Sequence, residues 1–370
     1  MKEMKQWVML LVLGTGMSFG FSACSDDENL PDNGGEEPTE STTTGVYILN
    51  SGRMSSNNST LDYYDPLTQE LTGDVFAAVN GRGLGDTAND MLIYGSKMYI
   101  AVTNSNTIEV TDLNAKSLAT ISPKDEGGQP QSPRYLTAYD GKVYASLFDG
   151  HVAAIDTASL EISQQIQVGP NPEQLCVSGG KLYVVNSGGY NEVQDSTVSV
   201  INPTTFSVEK TLTVVVNPTQ ITADSEGYLY VVSNGNYADI RATLQRVNPE
   251  TGERTVIVTN DQFSTTLVDD KLYIITAESN ASTDWQRVNT KYMIYDTRSA
   301  TMETENFITD GTEVPSSYYI SVSPTDHSIY VTSSDYINTG DVYVFSNEGK
   351  QQDVIAVSGI NPMCARFITE

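Results

Sequence analysis

In the stretch Ser178-Gly179-Gly180-Lys181-Leu182-Tyr183-Val184-Val185-Asn186-Ser187, two glycines suited to a tight hairpin turn lead into a run of β-branched and aromatic residues. The same segment, with Tyr in the same place, recurs as Val46-Tyr47-Ile48, Lys97-Met98-Tyr99-Ile100, Lys142-Val143-Tyr144-Ala145, Tyr228-Leu229-Tyr230-Val231, Lys271-Leu272-Tyr273-Ile274 and Ser328-Ile329-Tyr330-Val331. The seven tyrosines are 52, 45, 39, 47, 43 and 57 residues apart. After each copy comes a second strand ending on a turn-forming residue: Asp65, Asp112, Asp156, Asn202, Asn248, Asp296 or Ser346. Before it lies a third element, often opened by proline, as in Pro133-Arg134-Tyr135-Leu136, Pro172-Glu173-Gln174-Leu175, Pro218-Thr219-Gln220-Ile221 and Pro315-Ser316-Ser317-Tyr318.

Adding the strand that follows each turn gives four short antiparallel strands in roughly 45 residues, the period of a propeller blade. The expected fold is all-β, a seven-bladed propeller of four-stranded antiparallel blades over residues 46–370. The final segment, Ile360 to Phe367, has an inner-strand pattern with no Tyr strand after it, and the first unit lacks an inner strand. Pairing the two closes the ring and leaves no free sheet edge. Continuous β-sandwich domains are the alternative, but they give no reason for complementary ends. Cys176 and Cys364 fall on inner strands of different blades, too far apart for a disulfide.

The first 23 residues read as an export signal, with Lys2 and Lys5 ahead of an uncharged apolar run that ends in Phe21-Ser22-Ala23-Cys24. This ending resembles a bacterial lipobox, which implies lipid attachment at Cys24 and anchoring without a spanning helix. An ordinary secretory peptide with a coincidental Cys is the alternative. Residues 24–45 carry seven acids and no base and are expected to form a disordered tether. Over the whole chain, 20 Lys and Arg against 47 Asp and Glu give a net charge of −27, which disfavours nucleic acid as a partner.

Function in a propeller gathers where loops converge on the central channel. The loops after the Tyr strands hold aromatic rings beside Asn, Ser and Gly, a mixture suited to a large, neutral, polar ligand. The candidate binding residues are Arg53, Phe148, His151, Tyr190, Asn191, Asn236, Tyr237, Trp285, Arg287 and Tyr336 from these loops, with Tyr135 and Gln174 from the inner strands. Catalytic signals are weak: the chain has no Gly-x-Ser-x-Gly, no His-Glu-x-x-His, and only two isolated histidines. A non-enzymatic protein with no catalytic residues, metal or catalytic cofactor is expected. Asp86, Asp90, Glu173 and Glu313 leave open a weak cation site or a lactonase-like hydrolase.

Cys24-Ser25-Asp26-Asp27-Glu28, Gly45-Val46-Tyr47-Ile48-Leu49-Asn50-Ser51-Gly52, Leu61-Asp62-Tyr63-Tyr64-Asp65 and Tyr183-Val184-Val185-Asn186-Ser187-Gly188-Gly189 together resemble the YncE-like propeller lipoproteins of gut Bacteroidetes. Within these the chain is most similar to the BtuG-type cobalamin-binding propellers. The resemblance implies a lipid-anchored protein on the extracellular face of the outer membrane. It further implies a bound corrinoid, vitamin B12 or a relative, and delivery to a TonB-dependent transporter. A surface propeller binding protein or glycan partners is the other non-enzymatic reading.

Overall fold

The structure is a computed structural model that describes residues 41–189, 191–280 and 286–370, with only the backbone of Asn280 and Gln286. The signal segment, Cys24, Tyr190 and Trp285 lie outside the described residues. Seven four-stranded antiparallel sheets follow one another around a ring. Their inner strands are Pro362–Thr369 in blade 1, Ala88–Tyr94 in blade 2, Pro133–Tyr139 in blade 3, Pro172–Ser178 in blade 4, Pro218–Ala223 in blade 5, Gln262–Val268 in blade 6 and Ser317–Val322 in blade 7. The Tyr strand is second in every blade.

Ring closure takes the expected form. The C-terminal strand Pro362–Thr369 pairs antiparallel with the first Tyr strand, Thr43–Asn50, so blade 1 is built from both ends of the propeller. That first strand begins at Thr43, three residues before the expected boundary, and Thr42 and Glu370 exchange backbone hydrogen bonds beyond it.

The core is seven layers, one between each pair of neighbouring blades. Alternation along a strand sends successive side chains to opposite layers. Val46 and Ile48 pack toward blade 7, while Tyr47 and Leu49 pack toward blade 2. Because both faces of each Tyr strand are covered, these strands are apolar throughout, and all seven tyrosines are buried. The turn expected at Gly179-Gly180 forms, with consecutive left-handed conformations as a two-residue hairpin of this twist demands; Asp140-Gly141 takes the same conformations, and Asp269-Asp270 does so without glycine. Cys176 and Cys364 are both unpaired thiols.

In six blades a bulge interrupts the ladder just inside the start of the inner strand, for example between Pro133 and Leu136, Pro172 and Leu175, and Ser317 and Ile320. A bulge frees its residues from pairing and re-aims their side chains. Here Arg134, Tyr135, Glu173, Gln174, Tyr318 and Tyr319 are the freed residues of blades 3, 4 and 7.

Candidate functional site

The freed residues follow a positional rule. The third residue of an inner strand accepts a hydrogen bond from the backbone N–H of the fourth residue in the next blade's inner strand. Leu136 donates to Asp90 Oδ2 (2.9 Å), Ile221 to Gln174 Oε1 (2.8 Å), Thr265 to Gln220 Oε1 (3.1 Å) and Ile320 to Ser264 Oγ (3.2 Å). In blade 1 the third residue is Cys364, whose sulfur meets the Met91 N–H, while burial pushes its thiol up to about 11. The rule stitches the blades together around the channel and gives partners to inner-strand backbone donors.

Blades 3 and 7 break the rule, since their third residues are Tyr135 and Tyr319. At blade 7, Ser321 takes over the bond to the next blade, with Ala365 N–H donating at 3.1 Å. At blade 3, Arg134 bridges to blade 4 by pairing with Glu173 at 2.8 Å. Without that backbone bond to make, Tyr135 and Tyr319 line a central cavity of about 510 Å³ that opens on the face carrying the loops after the Tyr strands, where their hydroxyls meet each other and Tyr135 also meets Asn89. All seven blades contribute to its wall.

Two ion pairs sit along the channel. Arg134 also donates to Asn89 Oδ1 (3.1 Å), and its guanidinium carbon lies 5.3 Å from the centre of the Phe148 ring. Burial opposes its charge, but the Glu173 carboxylate outweighs that and raises its affinity for the proton. Deeper in, Arg366 pairs with Asp90 (3.0 Å) and donates to the Met91 carbonyl (2.6 Å). Burial raises the tyrosines as well. Tyr135, Tyr318 and Tyr319 are held well above the ordinary phenol range, with neighbouring tyrosines adding to the shift at Tyr318 and Tyr319, so they are neutral hydrogen-bonding groups. Tyr318 packs edge-on against both Tyr319 and Tyr336, with centroids 4.7 and 5.3 Å apart.

Around the mouth the loops turn apolar side chains outward. Met54, Val193, Tyr237, Ile240, Tyr336 and Ile337 are 43–82% exposed, and all six lie on loops after Tyr strands. A polar cavity with a partly apolar rim is suited to a ligand that is amphipathic and wider than the cavity. A second cleft, of about 710 Å³, opens at the seam of blades 7 and 1 beside Ser41–Thr43. It lies where the chain enters the ring, is lined by Tyr64, Tyr330, Asp326 and Asp353, and has none of the ion pairs of the channel among the described residues.

Of the residues expected from sequence, Phe148, Tyr135, Tyr237, Arg287 and Tyr336 line the cavity together. Five others stand elsewhere. Arg53 is exposed beside Met54. His151 Nδ1 lies 3.1 Å from Asp149 at the start of an outer strand. Asn191 donates to Asn171 (3.3 Å). Asn236 organises its own loop by accepting from the Ala238 and Ile240 N–H groups. Gln174 is one of the inter-blade acceptors. Sequence reasoning missed Arg134 and Tyr319. The available signal was a large tyrosine at the third inner-strand position, where other blades place a short acceptor. In blade 7 it was hidden because the inner strand starts at Ser317, not Pro315: Ser317 pairs with Ser333 as Pro133 pairs with Leu147.

Among the carboxylates, Glu173 and Asp90 are tied up in ion pairs, Asp86 accepts from Ser55 N–H and Thr87, and Glu313 is exposed. Among the described residues no group of three or more His, Cys, Asp or Glu is placed to hold a metal ion.

The fold and cavity define a closed seven-bladed propeller with a ligand-sized polar well on one face. The chain belongs to the family described as "Domain of unknown function (DUF5074)", whose profile matches residues 44–263. Among curated proteins no significant match is found. Solved structures with the same fold include a putative 6-phosphogluconolactonase from Bacteroides uniformis, 12% identical over 88% of this chain and 100% of that one, TM-score 0.60. Another is a quinonprotein alcohol dehydrogenase-like protein from Bacteroides thetaiotaomicron, 14% identical over 88% of this chain and 78% of that one, TM-score 0.59. A third is hydrazine synthase of Kuenenia stuttgartiensis, 13% identical over 78% of this chain and 89% of that one, TM-score 0.58. At these identities the likeness is one of fold.

Proposed function

We propose that this propeller is a non-enzymatic surface receptor that captures cobalamin or a related corrinoid at the channel mouth and passes it to a TonB-dependent outer-membrane transporter. In this reading Cys24 carries the lipid that holds the ring on the outer face of the membrane. The observation that carries the proposal is that Tyr135 and Tyr319 stand where other blades place the acceptor for the next blade's backbone, which equips one face with a polar well inside a partly apolar rim. A corrinoid is a broad macrocycle fringed with amides. Its edge groups can pair with neutral phenols and amides in the well, and its apolar surface can cover Tyr237 and Tyr336 on the rim. The Arg134–Glu173 and Arg366–Asp90 pairs satisfy their own charges, an arrangement that fixes the wall.

Isothermal titration of the full-length chain with cyanocobalamin tests the proposal. Saturable one-to-one heat at micromolar protein is expected, and its absence rejects the reading. Tyr237→Ala, which removes an exposed rim side chain, is expected to weaken binding by about ten-fold. Unchanged affinity in that variant would move the site off this face while leaving corrinoid binding intact.

A further inference from the structure

Among the described residues four charged side chains line the cavity, and three of them have an ionic partner. Arg134 pairs with Glu173, and Asp261 pairs with Arg241 at 2.8 Å. The fourth, Arg287, is half-buried and has no carboxylate partner among the described residues. One of its terminal nitrogens, Nη1, donates to the carbonyls of Ser317 and of Tyr318 (3.1 Å), and its guanidinium carbon lies 5.1 Å from the centre of the Tyr318 ring. Those contacts fix the plane of the group. Its Nε and Nη2 atoms carry no hydrogen bond among the described residues.

Resting on the corrinoid reading, we infer that the Nε–Nη2 edge of Arg287 is an anion subsite that takes the phosphodiester of the ligand's nucleotide arm. The edge is a two-pronged donor of the shape that binds an oxyanion through two parallel hydrogen bonds. Held in one plane by backbone carbonyls and a ring, it loses little freedom on binding. Tyr319 and Tyr336, on the same wall, supply neutral hydroxyls nearby. The surroundings make the charge informative. A chain of net charge −27 repels anions at long range, so a half-buried cation with no carboxylate partner among the described residues serves recognition at contact in the central well. The phosphodiester is the anionic group that distinguishes a complete corrinoid from one lacking the nucleotide arm, and this subsite therefore discriminates between the two.

The test compares cyanocobalamin with dicyanocobinamide, which lacks the phosphodiester, by titration into the full-length chain and into Arg287→Gln. The wild-type chain is expected to prefer cyanocobalamin by roughly ten- to hundred-fold, the effect of a bidentate charge-assisted contact. Arg287→Gln is expected to remove most of that preference by weakening cyanocobalamin alone. Equal wild-type affinities, or equal losses for both ligands in Arg287→Gln, overturn the subsite and leave corrinoid binding standing. Absence of binding by either ligand overturns both. Should Arg287→Gln fail to give a cooperative thermal melt, the wild-type ratio and the milder Arg287→Lys decide, with a reduced preference expected from the lysine.

Discussion

At the scale of single residues, the inner strands separate structural from functional side chains by one position. Gln174 was expected to touch ligand, yet its carbonyl oxygen accepts from Ile221 N–H and joins blades 4 and 5. Gln174→Ala strips a partner from a half-buried backbone donor, so it should cost about 1–2 kcal/mol in urea denaturation and leave cyanocobalamin affinity unchanged. Tyr135→Phe and Tyr319→Phe should behave in the opposite way. Each keeps its ring packing and loses only a hydroxyl, which in Tyr135 meets Asn89 of blade 2 and in Tyr319 meets Tyr135, so stability should fall by no more than about 1 kcal/mol while affinity falls about five-fold. If the glutamine variant loses affinity and the phenylalanine variants do not, the division of labour drawn here is reversed. Sequence could nominate Gln174 and Tyr135 as inner-strand candidates, but hydrogen-bond partners 47 residues away are set by the closed ring.

At the scale of the strand and turn, the repeat was legible because each unit solves the same local problems with the same residue types. Asp65, Asp112, Asp156, Asn202, Asn248, Asp296 and Ser346 all turn their side chains onto backbone N–H groups of the turn that follows. Asn202→Ala removes bonds to Thr204 and Thr205 and should cost about 1 kcal/mol, measured by urea denaturation. The seven buried tyrosines predict a response to alkali. Burial is the leading cause that raises each of them, Tyr47 to about 12, with Tyr63 and Asp112 adding to the shift there. Their folded affinity for the proton exceeds the unfolded value near 10. The stability this supplies is complete below pH 10 and is lost as pH climbs from 10 toward 12. Phenolate absorbance should therefore rise late and together with loss of far-UV circular dichroism; ionisation of all 21 tyrosines near pH 10 in a folded chain would contradict it. What the repeat concealed was register: Pro315 imitates the opening proline of other blades, and only pairing with the Tyr strand shows that blade 7 starts at Ser317.

For the whole molecule, closure is the source of both stability and site. The C-terminal strand completes blade 1, and the fully buried Asp62 of that blade accepts from the Ser358 N–H (2.7 Å), tying the last strand of blade 7 to it. Deleting residues 362–370 opens two inter-blade layers and exposes the inner edge of blade 1, and the chain should lose its cooperative thermal transition. Closure also draws residues from all seven blades into one well, which is why the well could be expected from sequence as a place but not as a set of contacts. The central claim is that this face of the ring, and no other, receives the ligand. Hydrogen–deuterium exchange of the full-length chain with and without saturating cyanocobalamin tests it most directly. The account predicts protection confined to loops 51–58, 234–240 and 334–338, to the strand start at 287–290 and to the inner-strand starts at 133–136 and 317–320. Protection instead on the opposite face, at turns 66–69 and 202–206 or around the seam cleft at 323–328, would contradict it.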